Sequence, residues 1–130
     1  MKWSTSHALI GSWSDVLYLS HVVLEIFLGL IKLRGRYQHE SPGARGGKSA
    51  MYVRHHAFSI LSMTVLSYLI WHHGLVNSAI GKQSSAALAI FHGGAVGSFS
   101  IAWSGGAIPF RKIIFPHLPH ALGFATHALL

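Results

Sequence analysis

"SHVVLEIFLGLIKLRGR", residues Ser20 to Arg36, is an apolar run that holds a histidine and a glutamate four positions apart and ends in basic residues. The apolar character extends back to Trp13, and a helix of about 20 such residues crosses the roughly 30 Å of hydrocarbon in a bilayer. We therefore predict a membrane-spanning helix over residues 13–33. Glu25, one of three acidic residues in the chain, lies within this apolar run, where ionisation of a carboxyl group has its highest free-energy cost. It is therefore the first candidate for a functional residue.

The overall composition is typical of a membrane protein. Of the 130 residues, 51% are hydrophobic and only 10% are charged, whereas soluble domains carry roughly 25% charged residues. One soluble core of this length would leave many apolar side chains in water, whereas a bilayer accommodates them without penalty. We predict a single transmembrane domain over residues 1–130, with the lipid bilayer as its surroundings.

Composition also excludes several classes of protein. The formal charge of +7 does not indicate a nucleic-acid partner, because the basic residues lie between apolar runs and not on one face of a polar domain. The chain has no cysteine, which excludes disulfides, iron–sulfur clusters and cysteine nucleophiles. The N-terminal stretch has one lysine and no small-residue cleavage pattern ahead of a long apolar span, so we expect the first helix to be retained.

Three further stretches are apolar over a comparable length, namely residues 57–76, 84–103 and 112–130. The last of them has Pro116 and Pro119 near its start, where a helix tolerates proline because its first amides are free. The fold prediction is an all-α, integral membrane four-helix bundle with four transmembrane spans. A re-entrant or interfacial final segment is the alternative for the last stretch.

The basic residues predict how these spans are oriented. Lys2 and Lys82 fall on one side, and the other eight fall on the opposite side. Cytoplasmic loops are enriched in lysine and arginine, so loops 34–54 and 104–111 are expected on the cytoplasmic side, or on the matrix or stromal side of an organelle, with both termini on the non-cytoplasmic side. Loop 34–54 is rich in glycine, serine and proline and is predicted to be a flexible connector. The eight basic residues are Lys32, Arg34, Arg36, Arg45, Lys48, Arg54, Arg111 and Lys112.

Glu25 is predicted to face the interior of the bundle. An isolated carboxylate near the bilayer midplane costs several kcal/mol or takes up a proton. The side chain should therefore be neutral, paired or bound to a metal ion, and His21 or His120 is its expected partner. His21 lies on the same helix face, because residues i and i+4 are neighbours on an α-helix.

Eleven histidines add to this polar set. His21 and His92 lie at a similar depth, about 11 Å below the outer face at 1.5 Å of helical rise per residue. His117, His120, Phe124 and His127 follow one another at spacings of three, four and three, which places them on one helix face. The candidate cofactor ligands are His21, His92 and His127, and the candidate metal ligands are His21, Glu25, His92 and His120.

The apolar stretch 84–103 carries small residues at a spacing of four, at Ala89, Gly93 and Gly97. Such residues let two helix backbones approach closely in lipid. We predict a packing seam inside the bundle, with a contact between copies in a homo-oligomer as the alternative.

Four functions are compatible with this pattern. The first is a non-catalytic accessory or ligand-binding subunit of a membrane assembly, which holds a lipid or pigment and contacts other membrane subunits; the absence of a strong catalytic motif favours it. The second is a cofactor protein in which His21 and His92 ligate haem b, or bind a metal ion together with Glu25.

The third function is an isomerase or cyclase acting on a lipophilic substrate. Glu25 would be its general acid or base, and His21 or His120 would tune it. The fourth is conduction of protons or small ions through the same groups.

Overall fold

The computed structural model describes residues 11–34, 48–106 and 109–130, apart from the side chains of residues 48–52, 112 and 113. Within these ranges the protein is all-α and contains no strand. The chain divides into two compact units, Tyr18–Leu69 and a unit made of Met1–Leu17 and Ile70–Leu130. The helices are α1 (Trp13–Leu33), α2 (Lys48–His72), α3 (Ala79–Ser104), α4 (Arg111–Ile114) and α5 (His117–Leu129).

Helix α1 has the bounds that hydropathy predicts, and a capping box fixes its first residue. The backbone N–H of Asp15 donates to the Ser12 hydroxyl oxygen at 3.2 Å, and the Asp15 carboxylate accepts from the backbone N–H of Ser12 at 3.0 Å. The two bonds satisfy amides that have no partner within the helix. One of the three acidic residues therefore has a structural role at a helix end.

Helix α2 differs from the predicted span 57–76 at both ends. It begins at Lys48, so the last part of the predicted loop 34–54 is helical, while residues 35–47 of that loop lie outside the described residues. It ends at His72 because Gly74 adopts a positive φ of 64°. The N–H groups of Gly74 and Leu75 donate to the carbonyls of Trp71 and Ile70 at 3.0 and 2.9 Å, the pair of bonds that defines a Schellman motif.

Helix α3 covers the predicted span 84–103 and begins earlier, at Ala79. The hydroxyl oxygen of Ser78 caps it by accepting from the N–H of Gly81 at 3.2 Å.

The predicted span 112–130 is not one continuous helix. Phe115 is extended, with φ −118° and ψ 129°, and separates α4 from α5. The physical reason is Pro116, which lacks an N–H and disfavours helical geometry in the residue before it. Helix α5 has 13 residues, so it is about 20 Å long and shorter than the hydrocarbon core.

In the unit made of Met1–Leu17 and Ile70–Leu130, α3 and α5 pack along one face of each helix. The buried residues recur at spacings of three and four on both helices, as an α-helical contact face requires. On α5 they are the residues of the predicted histidine stripe. The buried residues are Gly81, Ser85, Leu88 and His92 on α3 and His117, His120, Phe124 and His127 on α5.

In the unit Tyr18–Leu69, α1 and α2 approach each other closely at one point. A Cβ atom added to Gly29 would lie 2.8 Å from Cδ2 of Leu61, so glycine is the residue that fits there. The buried residues of this unit combine apolar and polar side chains. They are Tyr18, His21, Val22, Glu25, Ala57, Ile60, Thr64 and Ser67.

Large apolar side chains lie on the outside of the helices, and many of the buried side chains are polar. Phe27, Ile90 and Ile101 are 63%, 78% and 75% exposed. Two described helices, α1 and α3, are long and apolar enough to cross a membrane, and only 28% and 17% of their most apolar windows are buried. This arrangement suits lipid better than water. The buried polar side chains are Ser14, His21, Glu25, Thr64, Ser67, Ser85, His92, His117, His120 and His127.

The turn before α3 makes a first prediction. A Cβ atom at Gly81 would overlap the carbonyl oxygens of Leu75 and Val76. The substitution Gly81→Ala is therefore expected to destabilise the protein by about 2 kcal/mol, measured by unfolding in detergent. Gly93→Ala, in the same helix, is the control: no described atom lies within 4 Å of the added Cβ, so a gain of about 0.5–1 kcal/mol is expected. Equal stability of the two variants would contradict the close approach.

Candidate functional site

His92 is the centre of a group of imidazole rings between α3 and α5. Its side chain is fully buried. Its Nδ1 lies 3.1 Å from Nδ1 of His117. Its ring stacks on His120, with the centroids 5.2 Å apart, and lies 6.0 Å from the nearly parallel ring of Phe124. Three imidazoles from two helices therefore meet in a buried environment.

His120 is held in a defined orientation by the break between α4 and α5. Its Nδ1–H donates to the carbonyl oxygen of Pro116 at 3.0 Å. In the neutral ring Nε2 is then the unprotonated nitrogen, which can accept a hydrogen bond or bind a metal ion.

His127 belongs to a second polar group in the same unit. Its Nε2–H donates to Oδ1 of Asn77 at 3.3 Å, and its Nδ1 accepts from the Ser85 hydroxyl at 2.8 Å. The Asn77 oxygen also accepts from the Ser14 hydroxyl at 3.0 Å, and Trp13 presents its ring edge to the imidazole at 5.7 Å. Both ring nitrogens of His127 are therefore used in fixing this end of the unit.

The predicted pair His21 and Glu25 lies in the unit Tyr18–Leu69, on one face of α1. Both side chains are fully buried. Buried carboxylates are rare unless they are paired or bind metal. The sequence-based prediction that Glu25 faces inward is therefore confirmed.

Lys32 and His56 meet near the basic ends of α1 and α2. The Lys32 ammonium donates to Nδ1 of His56 across 3.4 Å. Because an ammonium group can only donate, Nδ1 of His56 is the acceptor and carries no proton in this contact.

Three fully buried residues offer ligand atoms of the kinds that transition metals prefer. They are the imidazole nitrogens of His21 and His92 and the carboxylate of Glu25. Of the sequence-predicted candidates, the structure brings His92 to His120 within one unit and places His21 and Glu25 on one helix face in the other. That these two groups act on one ligand stays a prediction, as do the candidate ligand role of His127 and the catalytic roles of Glu25, His21 and His120.

Sequence reasoning missed the partners of the histidines. Ser85 lies seven residues before His92, on the same buried face of α3, and this spacing was a usable signal for its burial. Asn77 and Ser14 carry no such signal, because the bond of Asn77 to His127 and the bond of Ser14 to Asn77 depend on how three segments of the chain meet.

The small residues of α3 present an open surface. Gly93 and Gly97 are exposed, and no described atom lies within 4 Å of a Cβ added at either position. The predicted helix-packing role of Ala89, Gly93 and Gly97 stays a prediction.

Comparison with known proteins returned no match: the sequence fits no family model and resembles no curated protein or solved structure.

Proposed function

We propose that this chain is a membrane-embedded, non-catalytic subunit that binds a divalent first-row transition-metal ion inside the membrane, with His21 and Glu25 of α1 as ligands. The proposal rests on the complete burial of these two side chains, each 0% exposed, in a helix whose outer residues are apolar. Ionisable residues inside a membrane protein mark functional sites by default, because their burial is costly.

The membrane location is supported by the length and exposure of the helices. Helices α1 and α3 are candidate spans whose most apolar windows are mostly exposed, whereas the core helix of a soluble protein is mostly buried. Helix α2 has 25 residues, about 37 Å, which is also long enough to cross. With α5 entering the bilayer as a shorter fourth element, both termini lie on the non-cytoplasmic side, and loops 34–54 and 104–111 lie on the cytoplasmic, matrix or stromal side.

The choice of a metal ion follows from the donor set. Neutral imidazole and carboxylate groups are the ligands of many zinc sites and of non-haem iron sites. A divalent cation also offsets the charge of Glu25, which an apolar interior penalises strongly. A metal ion therefore accounts for the buried carboxylate of Glu25 as well as for the buried imidazole of His21.

The role as a subunit is supported by the outer surface of α3. The exposed small residues Gly93 and Gly97 provide a face onto which another membrane helix can pack closely. The partner in this proposal is another membrane subunit or a second copy of this chain.

The test is a measurement of metal content and absorption on the full chain purified in mild detergent. Chelator-treated protein is titrated with Co²⁺, whose d–d absorption reports coordination by nitrogen and oxygen ligands. We expect one equivalent of Co²⁺ per chain and its displacement by Zn²⁺. His21→Ala is expected to abolish the signal, while His72→Ala, which removes an exposed imidazole, is the matched control.

Folded protein that takes up no Co²⁺, Zn²⁺ or Fe²⁺ would overturn the metal site. A Soret band in the purified protein would favour the alternative in which His21 and His92 ligate haem b. A metal-free protein that retains a lipid or pigment would favour the accessory-subunit alternative without a metal.

A further inference from the structure

Ser67 of α2 differs from the other described serine and threonine side chains of its helix. The hydroxyls of Ser59, Ser62 and Thr64 each donate to the backbone carbonyl four residues earlier, at 3.2, 2.9 and 2.9 Å. Ser67 is 0% exposed, and its hydroxyl has no hydrogen-bond partner among the residues that the structure describes. A buried polar group of this kind is costly and calls for an explanation such as a bound water molecule, ion or ligand.

The buried face of α2 that holds Ser67 is the face that contacts α1 within the unit Tyr18–Leu69. Ile60, Thr64 and Ser67 are all buried, and they follow one another at the spacings of four and three that one helix face requires. A Cβ atom added to Gly29 of α1 would lie 3.5 Å from Cγ2 of Ile60. Ser67 therefore lies on the side of α2 that faces α1.

Helices α1 and α2 run antiparallel in this unit. Gly29 lies against Ile60. Lys32, three residues further along α1, has its Nζ 3.4 Å from Nδ1 of His56, four residues back along α2. A position nearer the start of α1 is therefore matched by a position nearer the end of α2.

This register brings two hydroxyls of α2 level with the proposed metal ligands of α1. Glu25 is matched by Thr64, and His21, one turn earlier, is matched by Ser67 or its neighbour. All four side chains are at most 3% exposed. The Thr64 hydroxyl donates its proton to a carbonyl of α2, so of these two hydroxyls that of Ser67 has a proton to donate to a ligand.

We propose that the metal ion held by His21 and Glu25 also binds a small monovalent anion, and that the Ser67 hydroxyl donates a hydrogen bond to this anion. The inference rests on the proposed metal-binding function. First-row divalent ions take about four ligands or more, so the two residues of α1 leave room for a ligand from outside the chain.

The charge of the site determines the class of this ligand. A divalent cation and one carboxylate leave one positive charge, which an apolar interior penalises. A monovalent anion cancels that charge, and an anion accepts the hydrogen bond that Ser67 can donate. The ligand is therefore expected to be an anion of a few atoms that accepts hydrogen bonds.

The experiment uses azide as the probe. The full chain in mild detergent is loaded with one equivalent of Co²⁺ and titrated with sodium azide, and the change in d–d absorption gives the azide dissociation constant. Ser67→Ala removes the hydroxyl. Ser62→Ala, which removes an exposed hydroxyl of the same helix, is the matched control.

We expect azide to bind the wild type, and its dissociation constant to rise about 10-fold or more in Ser67→Ala, the loss that corresponds to one hydrogen bond to a charged group. Ser62→Ala should bind azide as the wild type does. The Co²⁺ dissociation constant should stay within a few fold of wild type in both variants, because neither serine is a proposed metal ligand.

Metal-free Ser67→Ala should unfold at the same temperature as the wild type or at a higher one, because the lost hydroxyl bonds no described residue. A lower unfolding temperature with unchanged azide affinity would assign Ser67 a structural role and overturn the inference.

The two titrations separate this inference from the proposed function. If the wild type binds no Co²⁺, the proposed function fails and this inference fails with it. Co²⁺ binding without azide binding, or equal azide affinity in Ser67→Ala and wild type, overturns only this inference.

Discussion

Replacement of Glu25 by glutamine is expected to weaken Co²⁺ binding at least about 100-fold. Loss of a residue that only orients a metal ligand already weakens metal binding up to about 100-fold, and Glu25 is itself a proposed ligand. Glutamine keeps nearly the same shape and removes the negative charge. A carboxylate is a good ligand for divalent ions, whereas a neutral amide is a much weaker one. The measurement is a Co²⁺ titration of the full chain in detergent, with thermal unfolding of the metal-free protein recorded in parallel.

The stability of the metal-free Glu25→Gln variant is expected to equal or exceed that of wild type. Burial of a carboxylate is expensive because the charge loses its hydration, whereas burial of the neutral amide of glutamine costs much less. A residue that served only to hold helices together would show the opposite result, with lost stability and no change in metal affinity.

Asp15→Asn is the matched control, since it makes the same acid-to-amide change in the same helix. Asp15 forms the capping box with Ser12, so its loss is expected to cost about 1 kcal/mol of stability. It should leave the Co²⁺ dissociation constant unchanged. Wild-type affinity in Glu25→Gln, or an equal loss of affinity in Asp15→Asn, would contradict the proposed role of Glu25.

Much of the local structure could be predicted from the sequence. The bounds of α1 follow from a long apolar run that begins directly after a residue able to cap a helix. The spacing of His117, His120 and His127 predicted the buried face of α5, because positions three and four apart share a face whatever the helix packs against.

The ends of α2 and the break before α5 were harder to predict because they depend on local backbone chemistry and not on hydropathy. Gly74 ends α2 by adopting a positive φ, so the apolar residues Leu75 and Val76 fall outside the helix. Pro116 separates α4 from α5, although proline in a first turn is compatible with a helix that begins there.

The partners of the buried histidines could not be predicted, because the face of a helix does not specify what it contacts. The bond between His92 and His117 depends on the register of α3 against α5. A shift of one residue along either helix would replace this bond by a different contact, although the hydropathy pattern of the sequence would be unchanged.

Replacement of His127 by alanine is expected to destabilise the protein by about 3 kcal/mol, since it removes two hydrogen bonds and leaves polar atoms without these partners in a partly buried site. These bonds connect His127 on α5 to Ser85 on α3, at 2.8 Å, and to Asn77 in the turn before α3, at 3.3 Å. The ring contact with Trp13 at 5.7 Å is lost as well. The measurement is the free energy of unfolding in mixed micelles.

His72→Ala is the control for His127→Ala, because His72 belongs to the same unit but is exposed. Its replacement should change stability by less than about 0.5 kcal/mol. The Co²⁺ affinity of folded His127→Ala should match that of wild type, since both nitrogens of His127 are used in hydrogen bonds within the unit. Unchanged stability in His127→Ala would contradict the structural role, and lost Co²⁺ binding in a folded His127→Ala protein would instead make this residue a ligand.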